Sequence, residues 1–137
     1  AEDWYTLLSS LGICARAHIN RFYGADLCAR LYSAATGIEK TSQQLLQAAE
    51  RSWNLLRMMN VREGFDRSSD KFPEEWFTPL RAGRLELKLL DFYAGKEITK
   101  SVTTQLIEDY YDERGWNSQT GIPARDKLKE LGIDFAA

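Results

Sequence analysis

At 137 residues, with 44% apolar and 28% charged side chains, the chain has the length and composition of one globular domain able to bury a core without metal or disulfide support, so a single helical domain over residues 1–137 is expected. A formal charge of -2 denies it the electropositive field that phosphate backbones select, which argues against a nucleic-acid partner. No apolar run reaches bilayer length, and Ala1-Glu2-Asp3-Trp4 has neither a basic leader nor a small-residue cleavage site; no membrane partner and a cytoplasmic setting are the expectation.

The three prolines all lie beyond residue 72, and no β-branched run alternates with period two. Both features predict an all-α fold, an irregular bundle of about six helices with a long ordered loop near residues 61–83. A first helix is expected from Asp3 to Leu11, with Trp4, Leu7, Leu8 and Leu11 on one face and Gly12 ending it. Beyond a short segment from Ala15 to Tyr23, a second helix runs from Ala25 to Ala35 with Leu27, Cys28, Leu31, Tyr32 and Ala35 as its apolar positions, and stops at Gly37.

Thr41 and Gln44 have the spacing of a capping box, in which each side chain satisfies a free N–H of the helix start. They open the longest helix, to about Asn60, with Leu45, Ala49, Trp53, Leu56 and Asn60 on a stripe widened by Leu46 and Met59, and the core is placed around Trp53. The loop after Val61 is charged and carries Phe65, Phe72, Trp76 and Phe77 as expected anchors. A short helix from Leu85 to Tyr93 follows. Gly95 and Thr99 bracket the entry to a helix with Val102, Leu106 and Tyr110 beside Ile107 and Tyr111, ending at Gly115, and a last helix spans Pro123 to Leu131 before Gly132.

Few residues offer chemistry. Cys14 and Cys28 are too few for a disulfide scaffold and lack the Cys-x-x-Cys redox spacing; each reads from composition alone as a small buried apolar residue, Cys28 on the stripe of its helix. An unperturbed imidazole changes charge near neutrality, so His18 could carry a proton or ligate, but it is alone, and a surface or hydrogen-bonded structural role is the simpler reading. Glu108, Asp109, Asp112 and Glu113 would suit a hard cation, or form the exposed acidic face of a helix. Arg62, Glu63, Asp66, Arg67, Asp70 and Lys71 would make either an ion-pair network at a domain boundary or a solvated loop. The aromatic residues read as packing anchors, because no basic groove accompanies them.

Several stretches taken together carry more. Leu11-Gly12-Ile13-Cys14, Ala34-Ala35-Thr36-Gly37, Glu50-Arg51 with Asn54-Leu55, Asn60-Val61-Arg62-Glu63-Gly64-Phe65-Asp66-Arg67-Ser68-Ser69-Asp70-Lys71-Phe72-Pro73, Tyr110-Tyr111-Asp112-Glu113-Arg114-Gly115-Trp116, Gly121-Ile122-Pro123 and Lys127-Leu128-Lys129-Glu130-Leu131-Gly132 resemble, in order and spacing, the C-terminal region of the aldehyde ferredoxin oxidoreductase family. In that family a segment Asp-x-x-Gly-Leu-Cys supplies the last thiolate to a four-iron cluster and lies against the pterin. The resemblance therefore implies Cys14 as a metal ligand to a 4Fe-4S cluster and Ser9, Gly12, Ile13 and Cys14 as cofactor-binding residues, with no catalytic residue in this chain.

Ser9 stands where the family has an acid, and its hydroxyl cannot present a carboxylate to the pterin edge. A four-iron cluster needs about four thiolates, and the family's upstream Cys-x-x-Cys-x-x-x-Cys has no counterpart among these residues. The resemblance thus implies a domain that is inactive alone and holds no cofactor by itself. In the intact enzyme a tungsten (or molybdenum) bis-pterin and the cluster would serve to oxidise aldehydes to carboxylic acids, with the N-terminal pterin-binding and cluster-binding domains and ferredoxin as partners. The alternative is a helical protein-interaction module that kept the scaffold and lost the cofactors.

Overall fold

A computed structural model describes residues 1–14, 16 and 23–137. His18 and most of the segment from Ala15 to Tyr23 lie outside the described residues. The chain forms two compact units, residues 1–62 with 125–137, and residues 63–124.

The first unit holds α1 (Glu2–Ser10), α2 (Ala25–Thr36), α3 (Ser42–Arg62) and, later in the chain, the short helix Arg125–Glu130 followed by a 3-10 turn, Asp134–Ala136. Helices α1 and α2 both pack on α3. Their core is Leu7, Ala29, Leu45 and Ala49, flanked by half-buried Trp4, Leu11, Tyr32 and Leu46. Leu8 is wholly buried, which is worth about 1.5–3 kcal/mol for a side chain of that size and fixes the rotation of α1. The capping box forms as the spacing predicts: Thr41 N–H donates to Gln44 Oε1 (3.0 Å) and Gln44 N–H to Thr41 Oγ1 (3.2 Å).

The stripe on α3 differs from the one read from periodicity. Leu45 and Ala49 are buried, but Leu56 and Met59 are half exposed, while Asn54 and Arg57 turn inward and Trp53 is only half buried. The apolar cluster around Leu45 and Ala49 therefore lies one to two turns before Trp53, and Met58 continues the buried face beyond it. The reason is that polar groups on α3 have partners inside: Asn54 Nδ2 donates to the Glu50 carbonyl (2.9 Å), Arg51 Nε donates to the Leu131 carbonyl (2.7 Å), and Lys127 pairs with Glu50 at 2.7 Å. A buried polar group with a partner costs little, so hydrophobicity alone misplaces the face.

The second unit begins with two 3-10 turns, Arg67–Ser69 and Glu74–Phe77, then an antiparallel hairpin of β1 (Leu80–Ala82) and β2 (Leu85–Leu87), then α4 (Lys100–Arg114). The described residues are mostly helical, as expected, but one small hairpin replaces a helix. Among the described residues there are five α-helices, α5 being Arg125–Glu130, and the sixth, expected over Leu85 to Tyr93, is a strand and an irregular turn. Gly83 decides this: it sits at φ 63 as the first of the two residues linking Ala82 to Leu85, the position at which a tight hairpin loop takes glycine.

Helix α4 is capped by Thr99, whose side chain accepts from the Val102 N–H, and ends at Gly115. Its buried positions are Thr103 and Tyr111, whereas Val102 and Leu106 are more than two-fifths exposed. Of the four aromatics expected to anchor the loop, Phe72 and Phe77 are half buried, with the Phe72 and Trp76 rings 5.7 Å apart. Phe65 and Trp76 are more than half exposed. What orders the loop is Asp70, which accepts from Tyr111 Oη, with the Arg67 guanidinium 5.4 Å over the Tyr111 ring and the Arg67 N–H on the Thr120 carbonyl (3.0 Å).

Candidate functional site

The end of α1 shapes the segment containing Cys14. The Gly12 N–H donates to the Ser9 carbonyl (3.1 Å) and the Ile13 N–H to the Leu8 carbonyl (2.9 Å), the paired bonds of a Schellman cap, with Gly12 at φ 72. Leu7 and Leu8 pin the helix from below. Ser9 and Gly12 are exposed, Ile13 is half buried, and Cys14 is exposed. The composition-based reading of Cys14 as a buried apolar residue is thus corrected: Cys14 is exposed, directly after the cap that ends α1. Cys28 is the opposite case, 1% exposed on α2, and burial pushes its thiol up, as expected for an inert core residue.

A Cβ built on Gly12 would meet nothing within 4 Å. Among the described residues, then, glycine is required there by the left-handed backbone and not by a close neighbour. The same Leu-Gly-Ile sequence closes α5, where Gly132 N–H donates to Lys129 (3.0 Å) and Ile133 N–H to Leu128 (2.9 Å). Of the cofactor residues implied by the resemblance, Ser9, Gly12, Ile13 and Cys14 are all brought together on this one cap.

Could these residues hold a metal group? Among the described residues no group of three or more His, Cys, Asp or Glu side chains is arranged to bind an ion. Cys14 fits the part of one exposed thiolate, and the remaining donors of a four-iron cluster must come from protein beyond these residues. The acidic residues of α4 do not converge on a single point: Asp109 accepts from Gln105 Nε2 (2.8 Å), Glu108 is half buried, and Asp112 and Glu113 are exposed. In the loop, Asp66 accepts from the Ser68 N–H (2.8 Å) and hydroxyl (2.6 Å), so its carboxylate is spent on capping a 3-10 turn. Sequence reasoning passed over the Arg67, Asp70 and Tyr111 cluster; the only signal was that both partners lie in stretches carrying the resemblance.

No described helix is long and apolar enough to cross a membrane. Residues 1–133 match the family model described as aldehyde ferredoxin oxidoreductase, domains 2 and 3. The tungsten-containing aldehyde ferredoxin oxidoreductase of Pyrococcus furiosus is 32% identical over 135 residues, covering 96% of this chain and 20% of that protein. Its Pyrococcus abyssi counterpart is 29% identical over 136 residues, covering 97% and 20%. Among solved structures, the active-site complex BamBC of benzoyl coenzyme A reductase with 1,5-dienoyl-CoA aligns with a TM-score of 0.62 and 26% identity, over 83% of this chain and 14% of that one. The chain spans about a fifth of the length of the curated relatives it matches. With a family match over nearly every residue, this chain belongs to the aldehyde ferredoxin oxidoreductase family, in the part that forms domains 2 and 3.

Proposed function

We propose that these residues form the C-terminal part of a tungsten-dependent aldehyde:ferredoxin oxidoreductase, with Cys14 as one thiolate ligand of a 4Fe-4S cluster and with Ser9, Gly12 and Ile13 lining the pterin. When bound, the tungsten bis-pterin supplies oxidation of an aldehyde to a carboxylic acid, and the cluster passes the electrons toward ferredoxin. The chain's own share is positional. Leu7 and Leu8 lock α1 to its unit, the Schellman cap fixes the course of the backbone through Ile13, and Cys14 follows it exposed. A ligand held this way is pre-oriented before the partner domains close on it, and its burial there tunes the cluster's potential.

The observation that carries the proposal is the exposure of Cys14 directly after a rigid cap, in a chain whose other thiol, Cys28, is sealed. The pterin-binding and remaining cluster-binding residues belong to the N-terminal domains of the intact cytoplasmic enzyme. A second reading, a helical interaction module without cofactors, is favoured by the serine at position 9 in place of the family's acid. Anaerobic reconstitution of the intact polypeptide, wild type against Cys14→Ser and Cys14→Ala, separates the two. Loss of iron and of the cluster's paramagnetic signal in both variants is expected; iron occupancy equal to wild type would overturn the ligand assignment. Absence of iron and tungsten from the wild type would select the interaction module.

A further inference from the structure

The second unit carries an apolar surface that nothing in its own fold accounts for. In the hairpin, Leu80 pairs with Leu87 across the strands, and Leu85 lies two residues from Leu87, so all three project from one face while Arg81 and Glu86 pair on the other. Leu80, Leu85 and Leu87 are 71%, 66% and 53% exposed. The turn that follows adds Leu90 and then Phe92 and Tyr93, which are 94% and 95% exposed.

These two rings are held out deliberately. The Asp91 carboxylate accepts the N–H groups of Tyr93 (2.9 Å), Ala94 (2.5 Å) and Lys96 (3.0 Å), which fastens the turn at its base, and the rings meet edge to face at 5.4 Å. Bonds from those backbone N–H groups, that of Ala94 first, hold the Asp91 carboxyl below the usual carboxylate range. An ordered turn presenting two aromatic side chains matches the anchor residues of interfaces, pre-organised so that little entropy is lost on docking.

Six large apolar side chains in this state expose on the order of 600 Å², at the upper end of what single soluble proteins leave uncovered and within the range of interfaces between domains of one chain. A two-stranded hairpin is marginal in water by itself, so this one also gains from a cover. About four-fifths of the length of the curated relatives lies outside the residues they share with this chain.

We infer that the leucine face of the β1–β2 hairpin and the Phe92–Tyr93 tip form the docking surface by which residues 63–124 pack against the portion of the intact polypeptide outside these 137 residues. The inference rests on the reading of this chain as part of a larger oxidoreductase, and it names the surface that joins them. Contact is apolar, with Phe92 and Tyr93 inserted as anchors and the Arg81 and Glu86 face left to water.

Single variants Leu85→Cys, Leu87→Cys and Phe92→Cys in the intact polypeptide, with Lys129→Cys on an exposed part of α5 as reference, are treated with a maleimide and read by peptide mass spectrometry. The three hairpin and tip positions should label about ten-fold or more slowly than position 129, at every protein concentration, as for surface reached only through local opening. Labelling at the reference rate overturns the inference. So does protection that disappears on dilution, which would assign the face to a second copy of the chain. Should the variants misfold, hydrogen exchange at Phe92, which is not among the N–H groups held by the Asp91 carboxylate, gives the same answer in the unsubstituted polypeptide, slow if docked and fast if not. Protection together with unchanged iron in Cys14→Ser would leave this docking surface standing while the cluster assignment fails.

Discussion

Replacing Gly12 by alanine, beside the same change at Gly132, isolates what the cap before Cys14 requires. The two glycines sit at φ 72 and φ 68 in identical Leu-Gly-Ile sequences, and a Cβ at either meets nothing within 4 Å. Among the described residues neither variant meets a steric clash. The left-handed backbone costs an alanine about 1–2 kcal/mol, and the lost freedom of the unfolded chain returns about 0.4–1, leaving a net loss near 1 kcal/mol for each. For a cooperative unit of this size that lowers Tm by about 4–8 °C per kcal/mol. Thermal and urea unfolding followed by circular dichroism should give equal losses for the two variants within about 0.5 kcal/mol. If neither substitution destabilises, the backbone argument is wrong. If Gly12→Ala costs more than twice as much as Gly132→Ala in the 137-residue chain, Gly12 touches something in this chain and the open space around it is illusory. In the intact polypeptide the proposed pterin packing separates the pair, since only Gly12→Ala should then lower tungsten content.

Two further perturbations follow from the charged groups. Burial pulls the Lys127 ammonium down, but the hydrogen bond and charge of Glu50, with Glu130 added, outweigh it and raise its pKa above the ordinary 10.5. Such a group contributes stability that is complete below 10.5 and is lost as pH rises through the higher folded value. Glu50→Gln should cost about 1–2 kcal/mol near neutral pH, between the limits for exposed and buried pairs, and should abolish the alkaline loss; a urea titration matching wild type at pH 7 and pH 11 would reject the pairing. Asp91 runs the other way. Its lowered folded pKa means that the turn is fully held above the ordinary carboxylate value of 3.8 and released as pH falls through the depressed one. Amide signals of Tyr93, Ala94 and Lys96 should therefore shift and exchange faster only below that value, and an Asp91 titrating at the ordinary value would refute the cage.

What the sequence discloses best is what is decided within a few residues. The capping box at Thr41 and Gln44, the stop at Gly37, the Thr99 cap and the glycine-ended helices depend on hydrogen bonds reaching no further than five positions, and each forms where the spacing puts it. The inward face of α3 was not legible, because Asn54 and Arg57 read as solvent residues until their surroundings are known. The stretches that carry the family resemblance turn out to meet in pairs. Glu50 and Arg51 bind Lys127 and the Leu131 carbonyl in one unit, while Asp70 and Arg67 engage Tyr111 in the other. Each motif is weak alone because half of its physical meaning lies at its partner.

The error over Leu85 to Tyr93 has the same origin at a larger scale. Periodicity assigns secondary structure by asking which pattern would bury the apolar residues, and it presumes that the burying surface belongs to the same chain. Leu80, Leu85, Leu87, Leu90 and Phe92 are all more than half exposed in the hairpin and turn, so burial within this chain gave apolar spacing nothing to report. Local chemistry then decides, through the left-handed Gly83 that folds the hairpin and the Asp91 carboxylate that gathers three N–H groups beyond it. If the missing surface is supplied by the rest of an oxidoreductase, the hydrophobic pattern of residues 80–93 is a record of that surface. The same logic applies to Cys14, whose exposed thiol is uninformative within this chain and specific only to the group that would meet it.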